Sequence, residues 1–467
     1  MKKKLNLEII LISLILIFAF FLRVYNLGTP SLWIDEATSA IVSEKMLEKG
    51  IPVLDSGWVY NVYAFHYIQA FFLLFGETEF LARFPSVIFG LLTILLAYFI
   101  GKEYSKSGGI ISALFMSVFY LEVFFSRQAR FYQLFQLMFF LSIYLLYKSK
   151  KNPNYIYPAL ISFFITLDTQ IEGLVLAPFF IIWILIHQKK WEKYLAIIPA
   201  ILLIWKFIPV LGLSSGLTAS SLNYAQDYLS YASNMIYLFI LSIPGIIFAF
   251  QKKKGLTALI IIPSLIAIIG IFSLETFALR YSYFFIFPLV LYSSLLISFL
   301  CEKYGKIIII AIVILLIIPS NLFFPQTYVN VIKPIDYNFN DYSSPTTDYK
   351  HLPENVLNEL KSPDSKIISY FSSDVEWYIR KPDYVLPFSM DGRGEDQISI
   401  NNSQGKIVDR YSGALMLDEI PTGPYYLIAD SFSVSKLKPD QKEFLMNLTR
   451  ECDILYEQED LKIYSCL

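Results

Sequence analysis

Apolar residues come in long, nearly unbroken runs through the first two thirds of the chain, with short polar loops between them. The runs cover 5–27, 83–101, 108–126, 131–147, 155–170, 172–187, 193–212, 229–250, 256–274, 281–300 and 307–324. Most are long enough for a helix to cross roughly 30 Å of hydrocarbon. A helix also satisfies its own backbone hydrogen bonds in lipid. The pattern predicts about eleven transmembrane helices. The fifth and sixth runs, either side of Asp168 to Ile171, are short enough to form one bent hairpin.

Beyond residue 325 the pattern changes. Residues 326–353 are polar and Pro-containing and read as a linker. In 354–467, K-I-I-S-Y-F, Y-V-L-P-F, P-Y-Y-L-I-A-D and L-K-I-Y-S-C read as strands. D-V-E-W-Y-I-R and K-P-D-Q-K-E-F-L-M-N-L read as helices, the second with Pro near its start. This alternation predicts a small α/β domain. No catalytic constellation stands out in it. Asn401-Asn402-Ser403 and Asn447-Leu448-Thr449 match the N-glycosylation triplet, which also arises by chance.

Composition agrees with this division. The 467 residues are 55% hydrophobic and only 16% charged, against about a quarter charged in an average soluble domain. A purely soluble enzyme, a disordered chain and a disulfide scaffold are therefore excluded. The net charge of −1 is a cancellation. Residues 1–325 hold 24 Lys+Arg against 16 Asp+Glu, a net of +8. The remainder holds 14 against 23, a net of −9. Of the three cysteines, only Cys452 and Cys466 lie in one domain; a pair or two thiols both fit the sequence.

Charge type then sets the topology. Lysines fill every second loop, at 2–4, 102 and 106, 148–151, 189–193, 252–254, and 303 and 306. The positive-inside rule makes these loops cytoplasmic. The N-terminus is then inside and, with eleven spans, residues 326–467 lie outside a plasma membrane. The first run reads as a retained anchor, since a clear small-x-small cleavage site is lacking. The five arginines of this part, Arg23, Arg83, Arg127, Arg130 and Arg280, all fall at outer span ends. Single arginines there can simply snorkel. Five together suit the oxygens of a phosphate headgroup, which the guanidinium fork binds in a bidentate manner.

The loop between the first two runs, about 28–82, carries the chemistry. Its T-P-S-L-W-I-D-E-A-T-S-A-I-V-S-E-K-M-L-E-K-G predicts an amphipathic helix over Ala37 to Leu47 lying on the membrane. Asp35 and Glu36 stand just before it. They are either helix-start acids satisfying backbone N–H groups or a general base for an attacking hydroxyl. A second aromatic stretch, Val59 to Phe75, contains His66, which lacks metal-ligand spacing to other candidates. Glu122 is either a salt-bridge partner of Arg127 or Arg130 or a second catalytic carboxylate. Asp168 and Glu172, four apart, share a helical face or sit in a solvated turn. Lys206 snorkels or reaches the phosphate. No P-loop, Gly-rich dinucleotide fingerprint or convincing Asp-x-Asp is present.

These blocks resemble a known family. W-I-D-E-A in the first outer loop is similar to the signature of GT-C glycosyltransferases of the protein-mannosyltransferase and aminoarabinose-transferase type. L-F-G-E-T-E-F-L-A-R-F-P-S-V-I-F-G-L-L-T (Leu74 to Thr93) and S-R-Q-A-R-F-Y-Q-L (Ser126 to Leu134) resemble their next two blocks. The likeness covers about 5–190. It implies a membrane all-α catalytic domain over 1–325, amphipathic helices in the first outer loop and an extracytoplasmic α/β domain. It implies an inverting transferase that moves a sugar from a polyprenyl-phosphate donor to a protein, glycolipid or polysaccharide. Asp35 would be the base, with Glu36 and Glu122 as further catalytic candidates. Arg83, Arg127, Arg130 and Arg280 would hold the lipid phosphate. His66, Tyr132, Asp168 and Glu172 are candidate donor or acceptor contacts. A divalent cation stays open as a cofactor. The sequence departs from the family at Tyr60 to Ala64, where prolines are missing, and in the L-D-T-Q-I-E-G loop, which leaves the acceptor unspecified. A lipid-linked-sugar flippase or secondary transporter is the alternative, but its polar groups would lie near the bilayer midplane in repeated halves.

Overall fold

The computed structural model describes residues 2–189, 191–213, 235–272, 279–305, 347–363, 366–370, 372–386, 399–401, 406–417, 421, 423–458 and 460–466. The expected span 307–324 and most of the expected linker lie outside these residues. In chain order the first helices are α1 (Lys2–Val24), α2 (Ile34–Lys49), α3 (Tyr63–Leu73), α4 (Glu79–Tyr104), α5 (Lys106–Val118), α6 (Tyr120–Phe125), α7 (Tyr132–Ser149), α8 (Ile156–Thr169) and α9 (Leu176–His187). They continue as α10 (Ile197–Leu213), α11 (Ile236–Phe272), α12 (Leu279–Ser282) and α13 (Ile286–Tyr304). The C-terminal part holds α14 (Glu354–Leu360), α15 (Ser372–Tyr378), α16 (Ser431–Lys436) and α17 (Pro439–Thr449).

The chain divides into two compact units. One comprises Met1–Tyr25 and Ser86–Lys333, the other Asn26–Pro85 and Pro334–Leu467. Among the described residues, four helical stretches are long and apolar enough to cross a membrane: Leu7–Val24, Glu79–Tyr104, Ile236–Ile271 and Arg280–Tyr304, which lie in the first unit but for the start of the second stretch. Leu14, Phe21, Phe164, Ile201 and Ile247 expose apolar side chains on this unit, as lipid-facing positions would. Helices elsewhere are shorter than the runs suggested, each for a local reason. The run 108–126 breaks at Phe119, whose ψ of 126° ends α5 before α6 begins. The fifth and sixth runs meet at extended Gln170, and α8 and α9 pack through Phe163 on Phe180, 4.8 Å between ring centres. α11 spans two expected runs and breaks at Lys253 (φ −144°, ψ 65°). Small residues let backbones approach: a Cβ on Gly245 of α11 would stand 2.0 Å from the Tyr292 carbonyl oxygen of α13.

The second unit joins the loop between the first two runs to the C-terminal part. Its strands are β1 (Lys366–Ser369), β2 (Tyr384–Val385), β3 (Ser399–Asn401), β4 (Ile407–Asp409), β5 (Leu415–Met416), β6 (Tyr425–Asp430), β7 (Cys452–Gln458) and β8 (Leu461–Cys466). They form one mixed sheet in the order β3-β4-β5-β2-β1-β6-β8-β7, parallel at its centre. Adjacent residues of the central strands enter opposite cores. Ile368 and Leu427 pack on one face, Ile367 and Ile428 on the other, so the two-residue period of a strand is buried on both sides. Tyr349 and Leu352, from the stretch read as linker, are buried in this second core. Cys452 and Cys466 face each other across β7 and β8 and form a disulfide, which settles the question the sequence left open.

Candidate active site

The first-loop helix α2 starts earlier than its sequence pattern suggested, so Asp35 and Glu36 lie in its first turn. It is not an exposed surface helix: every residue from Glu36 to Ser43 is buried, and it packs on α3 and α15. The small residues Ala37, Ser39 and Ala40 let these helices approach. Thr38 joins α2 to the start of α15, its Oγ1 donating to Ser373 Oγ at 2.8 Å.

Glu36 and Arg83 form a buried ion pair that organises this turn. Arg83 Nε donates to Glu36 Oε1 at 2.9 Å and its NH2 to Oε2 at 2.7 Å. The remaining guanidinium protons go to the carbonyls of Leu27 (2.9 Å), Pro30 (2.8 Å) and Ser31 (2.8 Å). Glu36 Oε2 also accepts the Trp33 N–H at 3.3 Å, closing the helix start. All five donors of Arg83 are thus spent inside the protein. The expected phosphate ligand is instead the clamp that fixes the loop carrying Asp35, and Glu36 is its counter-charge. Asp35 is half-buried in that fixed turn.

A carboxyl that sequence reading passed over sits in the same unit. Asp374, in the first turn of α15, is buried. Burial pushes it well above the usual carboxylate range, and the charges of Asp430, Asp35 and Glu36 add to the shift. The signal was hidden because Asp374 follows a short strand in a domain with no motif. Nearby, Lys350 donates to Glu79 Oε2 at 3.0 Å, and the Tyr378 hydroxyl accepts the Leu32 N–H at 2.6 Å. His66 is fully buried: its ring Nδ1 donates to the Val62 carbonyl, and the ring lies edge-on to Tyr60 (5.1 Å) and Phe65 (5.4 Å).

The helical unit holds the other expected residues. Arg127 and Arg130 occupy the turn between α6 and α7 and are buried. Arg127 NH1 donates to the carbonyls of Leu22, Arg23 and Tyr25 at 3.2, 3.0 and 2.7 Å. Arg130 lies over Phe131 and Tyr132 (4.7 and 5.3 Å) and donates to the Tyr132 hydroxyl at 3.2 Å. Arg280, half-buried, lies 5.6 Å from the Tyr281 ring centre.

Glu122 does not bridge to Arg127 or Arg130. Its Oε1 accepts from Gln136 Nε2 and its Oε2 from the Tyr283 hydroxyl, both at 2.8 Å. Gln133 extends this fully buried network to Thr93 at 3.0 Å. Arg23, also fully buried, donates to the Ser117 carbonyl at 2.9 Å. The two glutamines and Tyr283 were missed because neutral polar residues inside an apolar run carry no charge signal. Asp168 and Glu172 are half-buried, and the break at Gln170 takes them off a common helical face. The side chain of Lys206 lies outside the described residues. Among the described residues no three His, Cys, Asp or Glu come together in a group able to hold a metal ion.

Known proteins were compared with this geometry in view. The family model for dolichyl-phosphate-mannose-protein mannosyltransferase matches residues 62–212. No curated protein matches the sequence. The fold is similar to apo ArnT from Cupriavidus metallidurans, with a TM-score of 0.61 at 11% identity over 99% of this chain and 98% of that one. It is also similar to the oligosaccharyltransferase AglB from Archaeoglobus fulgidus in complex with an inhibitory peptide and a dolichol-phosphate. There the TM-score is 0.56 at 12% identity, over 91% of this chain and 70% of that one. The same A. fulgidus enzyme in complex with Zn and sulfate gives a TM-score of 0.52 at 12% identity, over 79% of this chain. The chain spans 61% of that protein's length. Residues 62–212 thus match a mannosyltransferase family model, and the chain has the fold of ArnT and AglB, in agreement with the GT-C resemblance of its sequence blocks.

Proposed function

We propose that the protein transfers one sugar from a polyprenyl-phosphate-linked donor to an acceptor at the outer face of a plasma membrane. The acceptor class is a protein, glycolipid or polysaccharide. Asp35 takes the proton from the acceptor hydroxyl or amine as that group attacks the anomeric carbon. The bond from that carbon to the phosphate oxygen breaks, and the electron pair leaves with the lipid phosphate. In-line displacement inverts the anomeric centre. Arg127, Arg130 and Arg280 offset the charge that builds on the departing phosphate. Arg83 and Glu36 act as positioning residues.

The observation that supports this most directly is the Glu36–Arg83 clamp. It commits Glu36 to a structural task and holds the turn bearing Asp35 in one conformation, which leaves the base role in the Asp-Glu pair to Asp35. Fixed geometry of this kind is what a general base needs. The test is transfer from labelled polyprenyl-phosphate sugars to a membrane extract by purified protein. Wild type forms a labelled product, whose chemistry identifies the acceptor. Folded Asp35→Asn forms it about 10²–10⁴-fold more slowly; undiminished transfer by that variant refutes the assignment.

A further inference from the structure

Away from the site, the helical unit encloses a cavity of about 530 Å3 lined by the end of α7, by α9 and by the break in α11. Its walls carry six lysines against the single carboxylate of Glu103. Lys148 and Lys253 share that carboxylate, at 2.7 and 3.9 Å. The other four, Lys150, Lys151, Lys252 and Lys254, are exposed and have no carboxylate partner among the described residues. Surface lysines normally scatter over a solvated face. Here two lysine-bearing segments, the end of α7 and the break in α11, converge on one concavity.

The floor is aromatic. The Trp183 ring lies 4.3 Å from His187 and 6.3 Å from Tyr147, centre to centre. Its Nε1–H is buried with no hydrogen-bond partner in the protein. Opposite it, Gly255 leaves room: a Cβ there would meet only the Trp183 ring edge, at 4.0 Å. An orphaned indole donor beside unpaired ammonium groups suits an oxyanion. Tryptophan at this depth is also typical of the headgroup level of a bilayer. These lysine loops are the ones the positive-inside rule assigns to the cytoplasm.

We propose that this cavity binds the phosphate headgroup of an anionic phospholipid from the inner leaflet. The lysines neutralise the phosphodiester as point charges, and Trp183 donates its N–H to a headgroup oxygen. A free phosphate shares this chemistry, but the aromatic floor favours a lipid. This site is independent of sugar transfer.

The full-length protein is reconstituted in nanodiscs carrying a minority of either phosphatidylglycerol or phosphatidylcholine brominated on its acyl chains. The difference in tryptophan quenching between wild type and Trp183→Phe isolates the Trp183 signal. Brominated phosphatidylglycerol quenches that signal at a several-fold lower mole fraction than brominated phosphatidylcholine. Each lysine near a charged surface is worth about fivefold in affinity, so changing all four unpaired lysines to Gln abolishes the preference. Equal quenching by the two lipids overturns the proposal using wild-type protein alone. An unchanged preference in a folded quadruple variant overturns it too. If millimolar inorganic phosphate erases the preference, the cavity takes a free anion and the lipid assignment fails.

Discussion

Asp35 and Glu36 are neighbours in different environments, half-buried and buried, and one contact sets Glu36 apart. Arg83 reaches both Glu36 oxygens from 47 residues away, so the division cannot be read from the motif alone. The sequence marked the pair and the arginines as candidates. It did not reveal that Arg83 spends every donor on its own protein. Two substitutions separate the roles. Glu36→Ala leaves a buried guanidinium without its counter-charge, which costs about 3–5 kcal/mol. Its chemical-denaturation curve shifts accordingly, and activity falls with the folded fraction. Asp35→Asn keeps the midpoint within about 1 kcal/mol but lowers the transfer rate by about 10²–10⁴-fold, the usual worth of a general base.

Acidity in the same unit gives a second residue-scale test. Burial, with the charge of Glu77, pushes Glu44 up to about 8. Burial, with Asp55, pushes Glu376 up to about 7. Both carboxyls therefore keep a proton in the folded protein that the unfolded chain releases near its ordinary value. Between about pH 4.5 and 8 the folded state binds more protons than the unfolded one, so stability falls as pH rises. Thermal midpoints measured across pH 5 to 8 decline in wild type, and Glu44→Gln, which cannot ionise, flattens the decline.

At the scale of elements, legibility followed length. Among the described residues, helices occupy the apolar runs and the strands β1, β2, β6 and β8 stand where hydrophobic patterning put them; the run 307–324 lies outside those residues. β3 and β5, three and two residues long, form no period and take their existence from partners in the sheet. The break at Phe119, inside one expected run, was equally hidden, since phenylalanine is not a helix breaker by type. Those at Gln170 and Lys253 fall where one expected run gives way to the next. One helix contact yields a direct prediction. α11 meets α13 at Gly245, where any side chain would strike the Tyr292 carbonyl. Gly245→Leu forces the pair apart at a cost of about 1–3 kcal/mol or more. The variant melts earlier in detergent than wild type. A Gly270→Leu control, at a glycine with open space around it, melts close to wild type. An unchanged midpoint for Gly245→Leu would show that the two helices do not meet there.

The whole chain is charged in two opposed parts, and its cysteines give a way to read which side each part faces. The positive-inside rule predicts residues near 303 inside and the acidic C-terminal part outside. The chemistry of sulfur follows the same division. Disulfides persist in oxidising compartments and are rare in the cytosol, and Cys452 is bonded to Cys466. Cys301, near the lysine end of α13, is not part of that bond. Intact cells treated with a membrane-impermeant maleimide should therefore leave Cys301 unlabelled until the membrane is permeabilised. The other two cysteines should label from outside only after an impermeant reductant opens their bond. Single-cysteine variants assign each signal, and Cys301 tolerates Ser because it is only partly buried in its helix. Labelling of Cys301 in intact cells would invert the topology and place Asp35 on the cytoplasmic side. Soluble nucleotide sugars are made in that compartment, so the case for a lipid-linked donor would then fall with the topology.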